Sequence, residues 1–138
     1  MTAQAHVGAL AIAGVVTGEQ MRATGAAIAA MQENSGALPW FPGGRTDPWD
    51  HIESAMALSV TGFHAEAEAA YEWSRRTQRA DGSWPIRTVC GRIEDDGVDS
   101  NFCAYIATGV WHHVLVTGEV GTSRGRGVGG LGHGQPLF

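Results

Sequence analysis

Two acidic residues and a histidine in the stretch DPWDHIE have the types and the spacing of an acid/base site. Asp50 and Glu53 stand three positions apart, and His51 lies between them. On a helix, positions i and i+3 share a face, so the two carboxyl groups would be neighbours. Paired carboxyl groups hydrolyse glycosidic bonds. We therefore take these three residues as catalytic candidates; the alternative is that the two acids only favour the positive end of a helix dipole.

Aromatic and amide side chains near these acids could bind a substrate. The candidates are Trp40, Trp49, Trp84 and Asn101. A tryptophan ring stabilises a cation through its π face or stacks on a sugar. For Trp84, packing between helices is the competing explanation. Aromatic rings beside carboxylates suit the mouth of a binding cavity.

Helices must position these residues, because strand signals are weak and alanine-rich runs with helical spacing dominate. Five helices are predicted, over residues 3–16, 19–32, 47–60, 64–78 and 99–116. Thr17 and Gln20 are spaced as a capping box before the second helix. Asp47 suits the N-cap of the third helix, and Pro48 suits its first position.

The predicted helices differ in how much of their surface is apolar. The third and fifth are apolar almost all round, which predicts burial on most sides. The fourth has a charged face on which Glu72 and Arg76 are spaced as an i, i+4 pair. Buried and half-exposed helices therefore alternate along the chain.

A repeat of about 45 residues supports this alternation. Gln32 and Gln78 lie 46 residues apart, and each ends a predicted outer helix. A unit of this length with two helices is typical of stacked helical hairpins. Because every inner helix of such an array points the same way, the segments before the third and fifth helices should share one rim of a central cavity.

The end of each outer helix resembles the QW repeat of the terpenoid cyclase and protein prenyltransferase superfamily, which includes squalene-hopene cyclase-like proteins. The matching positions are Tyr71, Gln78, Gly82 and Trp84 in one copy, and Gln32 and Gly36 in the other, where Trp40 comes two residues late. Residues 17–118 are also similar to actinobacterial prenyltransferases. The resemblance implies an α/α toroid of about six hairpins and a transferase acting on an isoprenoid.

The length of the chain limits how much of such a ring it holds. We expect an all-α partial toroid of about two and a half hairpins at residues 1–118, followed by a Gly/Arg-rich flexible tail at 119–138. The missing third outer helix favours a fragment of a longer protein, whose activity in isolation is doubtful. The alternative is a small chain that closes its ring as a homo-oligomer.

The acidic loop EDDGVD contains the DDxxD pattern, which holds Mg²⁺ on a diphosphate in isoprenoid synthases. Asp95, Asp96 and Asp99 are thus candidate ligands, because Mg²⁺ prefers carboxylate oxygens. In those enzymes the aspartates lie on a helix, whereas here they lie in a glycine-containing loop. The alternative is a solvated loop in which Asp99 caps the next helix. No other cofactor is expected.

Composition narrows the partners and the compartment. The net charge is −5, which argues against nucleic acid as a partner. The apolar run at residues 5–16 is too short to span a bilayer, so a cytoplasmic protein without a transmembrane segment is expected. A small-molecule isoprenoid or sugar is the expected substrate. The alternatives to a prenyltransferase are a carbohydrate-active enzyme of the six-hairpin type and a non-catalytic helical-repeat scaffold.

Overall fold

The computed structural model describes residues 11–118, which form four helices and a small antiparallel sheet. The helices are α1 (Gly18–Met31), α2 (Pro48–Thr61), α3 (His64–Thr77) and α4 (Ser100–Thr117). The strands are β1 (Arg45–Thr46), β2 (Arg87–Val89) and β3 (Arg92–Asp95), in the order β1-β2-β3. The prediction of a mostly helical protein is confirmed, but the sheet was not predicted and the described residues form no clear toroid.

Short-range sequence signals set the helix boundaries. Thr17 and Gln20 form the predicted capping box at the start of α1. The Asp47 side chain caps α2, and the Asp99 side chain caps α4. Gly62 ends α2 in the left-handed conformation, which a residue without a Cβ adopts at little cost. The second to fifth predicted helices are therefore confirmed to within one or two residues.

The first predicted helix, at residues 3–16, is wrong where it can be compared. Residues 11–16 form a turn closed by a bridge between Ile12 and Val16. Gly14 within it has a φ of 74°, which a right-handed helix does not accommodate. Residues 3–10 lie outside the described residues.

The centre of the described fold is α2, which packs against the other three helices. One core cluster joins Leu38 to residues of α2 and α3, and a second joins Ile52, Trp84 and Ile106. α4 runs parallel to α2, since Trp49 contacts Phe102 near the helix starts and Ser59 contacts His113 near their ends. Both starts therefore lie at the same end of the fold.

The prediction that the fifth helix is buried on most sides is wrong. Of the residues in α4, only Ile106, Gly109 and His113 are buried. Trp111 and Leu115 are 63% and 65% exposed. The reason is that α4 packs mainly on α2, and no other element of residues 11–118 covers its outer side.

The 46-residue repeat is visible in the backbone of the two helix ends. Gln32 donates from Nε2 to the carbonyl of Gly36, and Gln78 donates in the same way to Gly82, both at 3.0 Å. Gln32 also donates to the carbonyl of Glu66 at 2.8 Å, which ties the end of α1 to the start of α3. In both copies of the repeat, the glutamine side chain therefore bonds to backbone carbonyl groups.

The tryptophan of the second repeat corresponds to a leucine in the first. Glu33 donates to the carbonyl of Ala37, and Arg79 donates to that of Ser83, each at 2.9 Å. With this register, the residue equivalent to Trp84 is Leu38, and both are buried. Trp40, which was matched to the tryptophan of the QW repeat, lies two residues further on and is exposed at the surface.

The sheet connects the two segments that precede α2 and α4. β1 pairs with β2, so that Arg45 lies opposite Val89, and β2 pairs with β3. Between β2 and β3 the two-residue loop Cys90–Gly91 has positive φ at both positions, 47° and 74°, as a tight hairpin with a primed turn requires. These paired strands hold the two pre-helix segments together.

Two further expectations concern the C-terminal tail and membrane-spanning helices. The predicted tail at residues 119–138, and with it the domain boundary, lies outside the described residues and stays a prediction. Within residues 11–118, none of the helices combines the length and the apolar character that crossing a membrane requires.

Candidate functional site

The starts of α2 and α4 form one rim, and aromatic rings from both helices meet there. Trp49 of α2 stacks on Tyr105 of α4, with ring centroids 4.8 Å apart and an interplanar angle of 11°. The Phe102 ring is inclined at 74° to the Trp49 ring, and their centroids are 6.1 Å apart. The two helix starts lie together, which agrees with the expectation that the segments before them share one rim.

Glu53 is held at this rim by two hydrogen-bond donors. Its Oε1 atom accepts from Trp49 Nε1 at 2.7 Å and from the hydroxyl of Tyr105 at 3.1 Å. Burial raises the pKa of Tyr105, and the hydrogen bond to Glu53 raises it further. The hydroxyl of Tyr105 therefore keeps its proton at neutral pH. Tyr105 was missed in the sequence analysis; its spacing from Asn101, one turn along the same helix, was the available signal.

Asp50 lies one turn before Glu53 in a partly buried environment. Burial raises the pKa of the Asp50 carboxyl, and the negative charges of Asp47 and Glu53 raise it further. Its backbone N–H donates to Asp47 Oδ1 at 3.0 Å, the capping bond of α2. The structure thus places a carboxyl group that holds its proton more tightly than usual beside Glu53, which accepts two hydrogen bonds.

Asp47, which was predicted as a helix cap, and Arg45 fix the position of Trp40 in this region. Asp47 is buried, and its Oδ2 atom accepts from Trp40 Nε1 at 2.6 Å. The guanidinium of Arg45 lies over the Trp40 ring, 3.6 Å from its centroid. A charged group stacked on tryptophan and a bonded indole N–H both fix the ring in place.

The surroundings of His51 suit a structural role. It is fully buried, its Nδ1 atom accepts from the N–H of Leu38 at 3.1 Å, and its Nε2–H donates to the carbonyl of Ala70 at 3.0 Å. Burial lowers its pKa to about 4. Because both ring nitrogens are bonded to the backbone, we assign His51 a positioning role at the start of α2.

The remaining predicted substrate-binding residues are not brought to the Trp49–Tyr105 pair. Trp84 is buried in the core and donates from Nε1 to the carbonyl of Ser74 at 2.7 Å, which is the packing role considered as its alternative. Asn101 is exposed in the first turn of α4, where its backbone N–H donates to Asp99. Trp40 is exposed beside Asp47.

The three aspartates of the acidic loop are each engaged by a different partner. Asp99 caps α4 by accepting from the N–H groups of Asn101 and Phe102. Asp95 accepts from the N–H of Gly97 at 3.0 Å, and Asp96 pairs with the guanidinium of Arg79.

This arrangement does not suit a shared metal ion. Within residues 11–118 there is no group of three or more His, Cys, Asp or Glu side chains placed to hold one. The involvement of Mg²⁺ stays an expectation from the sequence.

Comparison with known proteins changes the functional interpretation. No family model matches the chain. The chain is 64% identical over 108 residues to an "MMP endo-(1,4)-3-O-methyl-alpha-D-mannosidase" from Mycolicibacterium hassiacum. The match covers 78% of this chain and 30% of that protein, so the chain spans about a third of the length of this curated relative.

The resemblance to prenyltransferases and terpenoid cyclases is therefore wrong as a guide to function. A relative of this identity is named as a glycosidase, whereas an isoprenoid transferase was expected. The physical reason for the error lies in the motif, since Gln78, Gly82 and Trp84 only close a helix end. The carbohydrate-active alternative agrees with the relative's name.

Proposed function

We propose that the rim formed by α2 and α4 takes part in hydrolysing a chain of α-(1,4)-linked 3-O-methyl-D-mannose. The observation that carries the proposal is the pair of unlike carboxyl groups on one helical turn. Burial raises the pKa of Asp50, and Glu53 is held by two donors. The 64% identity to a mannosidase supports a sugar of this class as the substrate.

Different environments give the two carboxyl groups different roles. Asp50 donates its proton to the glycosidic oxygen as the bond from that oxygen to the anomeric carbon breaks. The oxygen of a water molecule adds to the anomeric carbon, and its proton passes to the Glu53 carboxylate. The products are two shorter sugar chains; Glu53 then releases its proton to solvent, and Asp50 regains one from solvent.

The aromatic group at the rim supplies a surface for sugar rings. Trp49 contacts both Phe102 and Tyr105 at the starts of α2 and α4. Such rings pack against the apolar faces of sugars, and polar groups beside them fix orientation. Glu53 accepts hydrogen bonds from two of these residues, so its position is fixed relative to any sugar that contacts their rings.

The finer architecture proposed for this chain is part of an α/α toroid. Outer helices α1 and α3 are joined by the Gln32–Glu66 bond, and inner helices α2 and α4 are parallel neighbours. This is the arrangement of adjacent hairpins in such a ring. The proposal agrees with a chain that spans 30% of its relative's length.

The first test is the substitution Asp50→Asn, assayed for release of reducing ends from an α-(1,4)-linked 3-O-methyl-mannose oligosaccharide. Loss of the proton donor should lower the rate by about 10²- to 10⁴-fold. Binding of the oligosaccharide, followed by the indole NMR signal of Trp49, should persist because the asparagine side chain has nearly the same shape as that of aspartic acid.

The matched control is Glu68→Gln, which neutralises an exposed carboxylate of α3 away from the rim. This variant should hydrolyse the oligosaccharide at the unmodified rate. A wild-type chain that releases no product, or an Asp50→Asn variant as active as the wild type, contradicts the proposed function.

A further inference from the structure

We propose that the turn carrying Trp40 and Phe41 is a subsite for the O-methyl groups of the sugar chain, separate from the residues that act on the glycosidic bond. The identity of the sugar rests on the proposed function. The turn itself is defined by its own contacts, which point to an apolar ligand group. We call residues 40–45 the aromatic turn.

The aromatic turn has a closed backbone. The N–H of Trp40 donates to the carbonyl of Arg45 at 2.9 Å, and the N–H of Gly44 donates to the carbonyl of Phe41 at 2.8 Å. The Phe41 ring packs on Gly44, where an added Cβ would lie 2.8 Å from a ring atom. Glycine is therefore needed at position 44 for the ring to lie against the backbone.

Both aromatic rings are exposed although the turn fixes them. Trp40 is 48% exposed and Phe41 is 58% exposed. Arg45 covers one side of the Trp40 ring, and the Trp40 indole N–H is bonded to Asp47. Two adjacent apolar rings held in place at the surface are more typical of a binding site than scattered single residues are.

The chemistry of the turn favours a methyl ether over a free hydroxyl. The only polar atom of the Trp40 side chain already donates to Asp47, and Phe41 has none. A sugar hydroxyl placed against these rings would lose its hydrogen bonds to water without replacement. A methoxy group has no proton to donate and adds apolar surface, which the rings can cover.

The aromatic turn adjoins the proposed catalytic residues through Asp47. One oxygen of this buried carboxylate accepts from Trp40, and the other accepts from the N–H of Asp50. A sugar unit at Asp50 can therefore extend its neighbouring unit along the turn. The subsite would select methylated chains without contributing to bond cleavage.

The test is an NMR titration of the full chain with two monosaccharides, methyl 3-O-methyl-α-D-mannoside and methyl α-D-mannoside. The five tryptophans give five indole signals, so the ring that senses each sugar is identified directly. The methylated sugar should shift the Trp40 signal and bind about fourfold more tightly than the other, as expected for burying one methyl group.

Three variants separate the contributions. Phe41→Ala should remove the preference for the methylated sugar, and Trp40→Ala should do the same. Trp40→Phe, which keeps an apolar ring, should retain most of it. The control Trp111→Ala, which removes an exposed tryptophan from α4, should leave the preference unchanged. Unchanged signals of the buried Trp73 and Trp84 report that each variant is folded.

Failure of this inference and failure of the proposed function are distinguishable. Equal affinity for both sugars in the wild type, absence of binding of the methylated sugar, or retained preference in Phe41→Ala overturns the subsite, whatever the hydrolytic activity. Retained methyl preference in a chain that hydrolyses nothing overturns only the proposed function.

Discussion

Burial determines what the side chain of His51 does, and two backbone groups fix its protonation state. Its Nδ1 atom accepts from Leu38 and its Nε2–H donates to Ala70, so the ring connects the segment before α2 with α3. A protonated ring would lose the bond from Leu38, because Nδ1 would carry a hydrogen. The folded protein therefore requires the neutral form.

The stability of the protein should fall when His51 is driven to protonate. Its pKa is about 4 in the folded protein against 6.5 for the ordinary side chain. The unfolded chain binds this proton first, so the stabilisation is fully present above pH 6.5 and is lost as the pH falls towards 4. Urea unfolding followed by tryptophan fluorescence should show roughly 2 to 3 kcal/mol less stability at about pH 4.5 than at about pH 7 from this residue.

Variants of single histidines isolate this contribution. His51→Gln should be less stable than the wild type at neutral pH and should show a smaller loss on acidification. His112→Gln, at a half-buried position of α4, should keep the wild-type loss. An unchanged pH dependence in His51→Gln would show that other groups cause it.

At the scale of elements, the parallel contact between α2 and α4 positions the rim. Gly109 is buried where α4 crosses Ile52, and a Cβ atom at this position would overlap the Cγ2 atom of Ile52. The absence of a side chain lets the two helices approach closely enough for Trp49 and Tyr105 to stack. Helix spacing and rim geometry are therefore linked through one glycine.

The substitution Gly109→Ala should destabilise the protein although alanine favours helices. The gain in helix propensity is roughly 1 kcal/mol, and forcing a methyl group into a packed contact costs about 1 to 3 kcal/mol. The melting temperature should fall, and the Trp49 indole NMR signal should move. Thr108→Ala, at the adjacent exposed position, is the control: alanine favours the helix more than threonine does, so the melting temperature should not fall, and the Trp49 signal should not move. Equal or higher stability of Gly109→Ala would refute the close contact.

The sheet shows why one set of elements was missed in the sequence. β1 and β2 have two and three residues, which is too short for an alternating pattern to emerge. The available signal was the Cys90–Gly91 pair between Val89 and Arg92, since two-residue loops with glycine favour hairpins. Pairing of β1 with β2 joins residues about 40 positions apart, and no local pattern reports such a contact.

At the scale of the whole molecule, the outer side of α4 gives the described structure an apolar surface. Trp111 and Leu115 lie four positions apart on one face and are both largely exposed. A surface of this kind binds apolar dyes and promotes association.

The double variant Trp111→Ser/Leu115→Ser should bind less of the dye ANS than the wild type, with a reduction of about half or more in the fluorescence enhancement. The matched control is Ile93→Ser/Val98→Ser, which removes two exposed aliphatic residues that are not on one helical face. Equal reductions in the two variants would mean that the α4 face is no more than a sum of single exposed residues.

The helical part of this fold could be predicted from sequence because its signals are local. Asp47 with Pro48, and Gly62 after Thr61, mark the ends of α2 by their conformational preferences. The site was predictable only in part: Asp50 and Glu53 share a helical face, but the contribution of Tyr105 depends on contact between distant segments. The choice between an isoprenoid and a sugar could not be made from the repeat motif, since Gln78 and Trp84 bond to the backbone and would serve any ligand equally.

The two glutamines that end α1 and α3 have a consequence for how such chains are built. Gln32 has φ and ψ of −63° and 130°, and Gln78 has −62° and 133°. Residues 33–78 thus begin and end at joints of matching geometry. Because the backbone angles at the two joints match, a second copy of this segment placed after Gln78 would leave the joint with the same local path as the first copy.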